Sequence, residues 1–336
     1  MPFSADEGHV VTGAGHSSCS FIRVSDPVTW DSLLSRVEHP HMTQSWAYGD
    51  AKEATRGAPT GRRGDVGGWR VRRLLIERDD EPVAICQLLD KSLRCASRLN
   101  RGPLFLRSDV SDEVVRDVYR ALRARWRHLR GVLVLAPALL AGGENERLLT
   151  ELGFRARRQA GWCSNRLDLC VEEEQLRRNL APTWRNRLNA AERSRLVLTV
   201  SQAPEDVEWM IECHVQNMKE KDFVGPAPAL IRELYHAAPR DLLVFQARLD
   251  DRPVGAMAIY RFGRGAEYYI GWMGREGREV NVGNFLFWRI ALELRRLGCL
   301  WFDLGGGLRD KRHRIGHFKA GMRGQEYELL NEWLAF

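Results

Sequence analysis

The segment from residue 301 to residue 321 combines a short apolar strand pattern, a carboxylate, a run of glycines and a lysine. The sequence WFDL over 301–304 is followed by glycines over 305–307, the basic stretch RDKRHR over 309–314 and then Lys319. A strand that ends in Asp303 and glycines exposes backbone groups at its carboxyl end, where open α/β sheets bind ligands. The pattern predicts a ligand-binding turn, and the alternative is a glycine-rich loop flanked by solvated arginines.

The signatures of common catalytic sites are absent from the sequence. It contains no GxSxG nucleophile elbow, no Walker loop, no HExxH motif and no GxGxxG loop that opens a helix after a strand. His313 and His317 are four positions apart, but without a third ligand nearby we interpret them as surface residues. The seven cysteines form no CxxC pair, so the sequence predicts neither a metal centre nor a disulfide framework.

Positive charge is concentrated in two stretches of the chain. The 336 residues include 51 Lys and Arg against 44 Asp and Glu, which gives a formal net charge of +7. Six arginines and one acid lie between 177 and 195, and eight Lys and Arg and two acids lie between 295 and 323. Such blocks either coat a solvated face or follow the phosphates of a nucleic acid. A genome that encodes arginine readily also explains the overall excess of basic residues. The position of the basic residues in two stretches is therefore more informative than the net charge.

A weak internal duplication organises the chain. Residues 74–88 and 243–259 each have the pattern of strand, Asp-Asp-x-Pro turn and strand, and Pro82 and Pro253 are 171 positions apart. Apolar spacing predicts helices over 114–130 and 284–297, which are followed by glycines 167 positions apart and then by short apolar strands. This nearly constant offset indicates two similar halves, although the regular alternation of α/β proteins is the alternative explanation.

These elements predict an α/β protein of two tandem domains, each a mixed sheet flanked by helices. We expect a flexible tail over residues 1–20, an N-terminal domain over 21–170 and a C-terminal domain over 171–336. Each domain opens with a hairpin and continues through a right-handed strand–helix–strand crossover. No apolar stretch is long enough to span a bilayer and no signal peptide is recognisable, so we expect a cytoplasmic protein.

Several motifs resemble those of a known family. GNFLFWRIALELRRLGCLWFDLGG, which begins at Gly283, and GHFKAGMRG, which begins at Gly316, are similar to the C-terminal signature of the Fem transferases. TWRNRLNAAERSR over 183–195 resembles that family's arginine-rich helix, and QSW at 44 and RGP at 101 extend the likeness into the first half. The resemblance implies two tandem GNAT-like (acetyltransferase-fold) domains without a coiled-coil arm. It also implies the transfer of an aminoacyl group from aminoacyl-tRNA to an amine.

The resemblance also implies roles for individual residues. Phe318 and Lys319 match the pair at the family's reaction centre. There the lysine ammonium is expected to stabilise the carbonyl oxygen and then the departing ribose oxygen. Phe318 is expected either to exclude water or to stack on the terminal adenosine. Asp303 either orients or deprotonates the attacking amine, or it caps the glycine turn. The expected acceptor-binding residues are Tyr268, Tyr269, Trp272, Gly305 and Gly306, and the expected tRNA-binding residues are Arg185, Arg187, Arg193, Arg309, Lys311, Arg312 and Arg314.

The leading hypothesis is an aminoacyl-tRNA-dependent aminoacyltransferase that forms an amide, or else an ester. The acceptor is expected to be a cell-wall peptide precursor or a peptide or nucleoside natural-product intermediate. Because the tRNA ester is already activated, no cofactor or metal is expected. The first alternative is an acyl-CoA-dependent GNAT N-acyltransferase, but residues 278–284 (REVNVGN) hold one glycine where such enzymes place a glycine-rich pyrophosphate loop. The second alternative, a non-catalytic RNA-binding protein, does not explain the lysine at position 319.

Overall fold

The protein forms two compact units, seen here in a computed structural model. The structure describes residues 3–4, 18–55, 68–91, 96–129, 131–306 and 314–336, with side chains for all of these except residues 3–4, 127–129 and 314. Unit 1 is Met1–Trp162 together with Glu328–Phe336, and unit 2 is Cys163–Tyr327. Within these described ranges, no helix has both the length and the apolar character needed to cross a membrane.

The helices and strands alternate along both units. Unit 1 contains β1 (Phe3–Ser4), β2 (Cys19–Val24), α1 (Pro27–Arg36), a 3₁₀ turn (Met42–Gln44), α2 (Trp46–Ala54), β3 (Trp69–Arg78), β4 (Glu81–Lys91), β5 (Ala96–Asn100), β6 (Leu104–Phe105), α3 (Asp112–Leu129), β7 (Val132–Ala136), α4 (Gly143–Glu151) and β8 (Arg155–Ala156). Unit 2 contains β9 (Cys163–Asp168), α5 (Glu173–Asn179), α6 (Pro182–Glu192), β10 (Val197–Ser201), α7 (Pro204–Lys221), α8 (Pro228–Ala237), β11 (Leu242–Leu249), β12 (Arg252–Phe262), β13 (Gly265–Met273), α9 (Arg275–Glu279), α10 (Val282–Arg296), β14 (Trp301–Asp303), α11 (Arg314–Ala320) and β15 (Gln325–Glu328). The last strand, β16 (Trp333–Ala335), returns to unit 1.

Seven strands follow the same order in both sheets. Over the described ranges the sheet of unit 1 has nine strands, because β1 and the short β6, which pairs with β4, are additional. In unit 1 the strand order is β1-β2-β3-β4-β5-β7-β16-β8, and in unit 2 it is β10-β11-β12-β13-β14-β9-β15. The strands from β2 to β5 and from β10 to β13 are antiparallel to their neighbours, whereas β5 is parallel to β7 and β13 is parallel to β14. A helix connects each parallel pair, α3 in unit 1 and α10 in unit 2. The prediction of two similar α/β halves with mixed sheets is therefore confirmed.

The hairpins that indicated the duplication share a turn geometry. Asp79 and Asp80 connect β3 to β4, Asp250 and Asp251 connect β11 to β12, and all four have positive φ. Two central residues with positive φ give a type I′ turn, whose twist matches that of the flanking strands. Each hairpin also has a register shift shortly before its turn. The predicted helices are present as α3 and α10, and each begins two residues earlier and ends one residue earlier than predicted.

Each sheet is completed by a strand from a distant part of the chain. β9 pairs antiparallel with β14 in unit 2, and β16 pairs antiparallel with β7 in unit 1, so the two strands occupy equivalent positions. The chain passes between units after residue 162 and after residue 327, whereas the sequence placed one boundary after residue 170. Residues 19–20, which the sequence assigned to a tail, begin β2, and residues 5–17 of that tail lie outside the described residues. The apolar pattern of a strand predicts burial but not which of two similar sheets it joins.

Candidate active site

The candidate site lies at the carboxyl end of the parallel strands of unit 2. In the part of the chain that the structure describes, β13 and β14 pair over three positions only, and the last pair is Glu267 with Asp303. Directly afterwards the register of β13 on β12 shifts, which leaves Tyr269 as an extra residue between Tyr268 and Ile270. A bulge of this kind bends its strand and leaves backbone groups unpaired. The bulge and the end of β14 thus open the sheet at the edge where α/β proteins bind ligands.

A glycine turn follows β14 directly. Gly305 has a φ of +73°, in the left-handed region, and a Cβ atom there would lie 2.9 Å from the carbonyl oxygen of Tyr268. A side chain at this position would therefore be strained by the backbone and would also clash with β13. The glycine allows the turn to pass close to β13.

Lys319 reaches this turn from α11. Its side chain is buried, with the residue 4% exposed, and Nζ donates hydrogen bonds to the carbonyl oxygens of Gly305 and Gly306 at 3.0 Å each. Nζ also lies 4.7 Å from the centre of the Tyr268 ring, where the negative face of the ring attracts a cation. The ammonium is thus fixed by two carbonyls and an aromatic ring.

The surroundings of Lys319 change its acidity. Burial lowers the pKa of Lys319 from 10.5 to about 8, while the carboxylates of Asp303 and Glu267 act in the opposite direction. An ammonium has three N–H donors, and the two carbonyls accept from two of them. Among the described residues the third N–H has no hydrogen-bond acceptor, so it is available to a bound molecule.

Phe318 lies beside the lysine, between two helices. The half-buried ring packs on Phe287 of α10, with ring centres 5.6 Å apart, and on Trp184 of α6, with ring centres 5.8 Å apart. It also lies against the first turn of α10, because a Cβ atom at Gly283 would be 3.4 Å from its Cζ atom. Phe318 therefore connects the basic helix α6 to the Lys319 site.

Asp303 is buried, and its carboxylate is enclosed by donors. Oδ1 accepts hydrogen bonds from the Ser164 hydroxyl and from the Gly305 N–H at 2.9 Å, and Oδ2 accepts one from the Tyr327 hydroxyl at 2.5 Å. The Arg166 guanidinium adds an ion pair, with Nη2 3.8 Å from Oδ2. Of the two roles considered from the sequence, this geometry is that of a carboxylate that caps the glycine turn.

The structure divides the five residues expected to bind the acceptor. Tyr268, Gly305 and Gly306 surround Lys319, whereas Trp272 packs on Trp209 of α7, with ring centres 5.9 Å apart. Alternation along a strand would place residues 268 and 272 on one face. The bulge at Tyr269 reverses this alternation, so Trp272 lies on the opposite face of β13 from Tyr268, and its acceptor-binding role stays a prediction. Tyr269 is the bulged residue itself.

The expected tRNA-binding residues lie partly on α6. The buried side of that helix is formed by Trp184, Leu188 and Ala191. Arg187 and Arg193 are exposed and have no ion-pair partner among the described residues, while the half-buried Arg185 donates to the carbonyl oxygen of Arg178 at 3.3 Å. Arg309, Lys311 and Arg312 lie outside the described residues, as does the side chain of Arg314.

Sequence reasoning missed the groups that enclose Asp303. Ser164 and Arg166 belong to β9, Tyr327 belongs to β15, and Arg166 stacks on the rings of Trp301 and Tyr327 at 5.6 and 4.5 Å. Nothing in the local pattern marks these residues, because they join the site only through the pairing of distant strands. Among the described residues no cluster of three or more His, Cys, Asp or Glu is placed to hold a metal ion, and His317 is exposed on α11.

Comparison with known proteins identifies the fold. A sequence model of the GNAT acetyltransferase domain matches residues 177–318. The crystal structure of FemX is similar over 94% of this chain and 96% of that protein, with a TM-score of 0.74 and 13% identity. L-PGS from Bacillus licheniformis is similar over 97% and 94% of the two chains, with a TM-score of 0.53 and 13% identity. A tandem GNAT protein from the clavulanic acid biosynthesis pathway is similar over 94% and 98%, with a TM-score of 0.51 and 12% identity. No curated protein sequence matches the chain significantly.

At 12–13% sequence identity, the similarity to these structures establishes the fold of the chain. The chain has the tandem GNAT-like fold that the Fem resemblance implied, and the candidate site lies in the second of its two GNAT-like domains.

Proposed function

We propose that this protein transfers an aminoacyl group from a charged tRNA to an amine, with Lys319 as the catalytic residue. The observation that carries the proposal is the buried Lys319 ammonium, which two carbonyls hold while its third N–H has no acceptor among the described residues. It lies at the carboxyl end of the parallel strand pair in a GNAT-type domain. Such a site suits a reaction in which negative charge moves from one oxygen to another.

Aminolysis of the tRNA ester is a reaction of this kind. The amine nitrogen attacks the carbonyl carbon, a C–N bond forms and negative charge develops on the carbonyl oxygen. The bond between that carbon and the ribose oxygen then breaks. Over the whole reaction the amine nitrogen loses one proton and the ribose oxygen gains one. The third N–H of Lys319 stabilises each oxygen in turn. A pKa of about 8 also makes this ammonium a stronger acid than an ordinary lysine.

The neighbouring surface of unit 2 suits the RNA donor. Phe318 offers a half-buried ring on which the terminal adenosine can stack, a contact worth about 1–3 kcal/mol in single-strand binders. Its other neighbour is α6. The exposed Arg187 on that helix and the exposed Arg193 directly after it can follow the phosphates of the acceptor stem. We therefore assign donor binding to the Phe318 side of the site, and acceptor binding to the side of Tyr268 and the glycine turn.

An acyl-CoA donor is the second candidate, because the matching family model is that of an acetyltransferase domain. A pyrophosphate at a helix N-terminus needs open backbone N–H groups. In the first turn of α10 the N–H group of Asn284 already bonds to the carbonyl oxygen of Asn281, and the Phe318 ring lies against Gly283. These contacts favour the tRNA donor.

The test of the donor uses a mixture of charged tRNAs with candidate acceptors: cell-wall peptide precursors and the amines of peptide or nucleoside natural products. Mass analysis should show an acceptor heavier by one aminoacyl residue, and the product should be lost when RNase is added first. Full activity with an acyl-CoA and no RNA would instead support the second candidate. Salt-sensitive tRNA binding without product on any acceptor would support a non-catalytic RNA-binding protein.

The test of the site uses Lys319→Met, which keeps most of the bulk and removes the charge. We expect turnover to fall about 10²–10³-fold while tRNA affinity stays within about twofold, because the lost interaction is made in the transition state. Lys319→Arg should restore activity only in part, since a planar guanidinium fits one fixed geometry. Lys219→Met, a change of the same kind at an exposed position of α7, is the matched control. Near-normal turnover of Lys319→Met would contradict the assignment.

A further inference from the structure

The polar groups behind Lys319 form one connected network. Gly305 takes part through both of its backbone polar groups. Its N–H donates to Asp303 Oδ1, and its carbonyl oxygen accepts from Lys319 Nζ. The same ammonium donates to Gly306, so the position of Nζ follows the conformation of the glycine turn. The Asp303 carboxylate therefore reaches the lysine through a single residue.

Asp303 is itself held from two other strands. The Ser164 hydroxyl and the Arg166 guanidinium approach it from β9, and the Tyr327 hydroxyl approaches from β15. With the Gly305 N–H these groups occupy most of the acceptor positions of a carboxylate, which has about four. Asp303 is 2% exposed, so little water competes for these bonds. An amine that approached this carboxylate for proton transfer would have to displace one of these donors.

The network also determines the charges near the lysine. Asp303 on β14 and Glu267 on β13 are the carboxylates that act on the ammonium, and Tyr268 on β13 places its ring against it. Among the described residues, the titratable groups that contact Asp303 are the guanidinium of Arg166 and the hydroxyl of Tyr327. In a buried site an anion close to a cation favours the charged form of both.

We propose that Asp303 is a positioning residue for Lys319: its carboxylate holds the glycine turn in the conformation that aims the ammonium and keeps that ammonium protonated. The contribution of Asp303 to catalysis rests on the proposed function, whereas its effect on the position and pKa of Lys319 can be measured in the free protein. Ser164, Arg166 and Tyr327 act through Asp303. They fix the carboxylate, which fixes the turn.

The test replaces Asp303 by Asn, which keeps the shape and removes the charge. The titration of Lys319 is followed by NMR of lysine labelled at Cε, with Lys319→Met to assign the signal. We expect the Lys319 pKa to fall by about one unit or more in Asp303→Asn, because the neighbouring anion is lost. Asp250→Asn is the matched control, since this residue lies at the exposed turn between β11 and β12. It should leave the titration unchanged.

Kinetics then separate positioning from base catalysis. In Asp303→Asn we expect kcat to fall about 10–100-fold with little change in KM for tRNA, because a displaced catalytic group costs rate rather than binding. Activity that depends on the ammonium falls as pH rises through its pKa, and this alkaline limb should move to lower pH in Asp303→Asn. An unchanged Lys319 titration would overturn the proposal. So would a pH–rate profile of Asp303→Asn that loses only its acidic limb, the rise of rate as a general base loses its proton, because this result would identify Asp303 as the base.

A second variant covers the case in which Asp303→Asn does not fold. Tyr327→Phe removes one donor and keeps the carboxylate charge, so kcat should fall about threefold to tenfold while the Lys319 titration stays close to that of the wild type. An unchanged kcat in folded Tyr327→Phe would overturn the positioning role. If no acceptor is ever aminoacylated but the Lys319 pKa falls in Asp303→Asn, the proposed function fails and the link between Asp303 and Lys319 stands.

Discussion

The burial of the Lys319 ammonium has a measurable effect on stability. The pKa falls from 10.5 to about 8 on folding, and each pKa unit corresponds to about 1.4 kcal/mol. Below pH 8 the folded protein therefore holds this charge at a cost of about 3 kcal/mol relative to the neutral amine. Between pH 8 and pH 10.5 the unfolded chain binds the proton and the folded chain does not, so stability increases with pH over this interval.

The perturbation that isolates this effect is Lys319→Met. The difference in free energy of unfolding between the wild type and this variant should change by about 2–3 kcal/mol in favour of the wild type from pH 7 to pH 10. Groups that titrate equally in both proteins cancel in the difference. For a unit of this size the change corresponds to a shift of about 5–10 °C in the difference between the two melting temperatures.

The assay is thermal unfolding of both proteins at several pH values, followed by circular dichroism. Lys219→Met is the control, because its side chain is exposed on α7. Its melting temperature should run parallel to that of the wild type. A constant difference between the wild type and Lys319→Met across this range would refute the reasoning, since it would mean that Lys319 is not a desolvated ammonium in the folded protein.

Three further predictions concern other parts of unit 2. Arg187→Ala should weaken tRNA binding about threefold to tenfold in a filter-binding assay and should reduce the slope of log affinity against log salt concentration by about one. Arg296→Ala should change neither quantity, because the Arg296 guanidinium already pairs with a glutamate on α10. Gly298→Ala should lower the free energy of unfolding by about 1–2 kcal/mol, because Gly298 has a positive φ and open space around it. Gly305→Ala should lower it further and should also reduce turnover, because its Cβ atom would in addition clash with the Tyr268 carbonyl oxygen beside Lys319. Asp251→Gly should raise the free energy of unfolding in a denaturant titration by about 0.5–1 kcal/mol, because glycine adopts its φ of +60° without strain.

The sequence was sufficient for the features whose physical cause is local. The Asp-Asp-x-Pro pattern predicted both hairpins because the turn residues determine the turn type. Apolar spacing predicted α3 and α10, since a helix that packs on a sheet buries residues at helical intervals. The glycines after β14 predicted an open backbone at a carboxyl edge. The constant offset between these features was enough to predict two similar domains.

Only the tertiary structure decided which distant groups meet. The assignment of β9 and β16 to the two sheets depends on backbone pairing across the whole chain, because neither short segment, CSNRLD or WLA, indicates its partner strand. Ser164 and Tyr327 lie 139 and 24 positions from Asp303, so no short pattern links them to it. The bulge at Tyr269 reverses the faces of the residues beyond it, which placed Trp272 against α7. Local sequence determines the conformation of a segment, whereas the partners of a buried polar group depend on long-range packing that leaves no local signal.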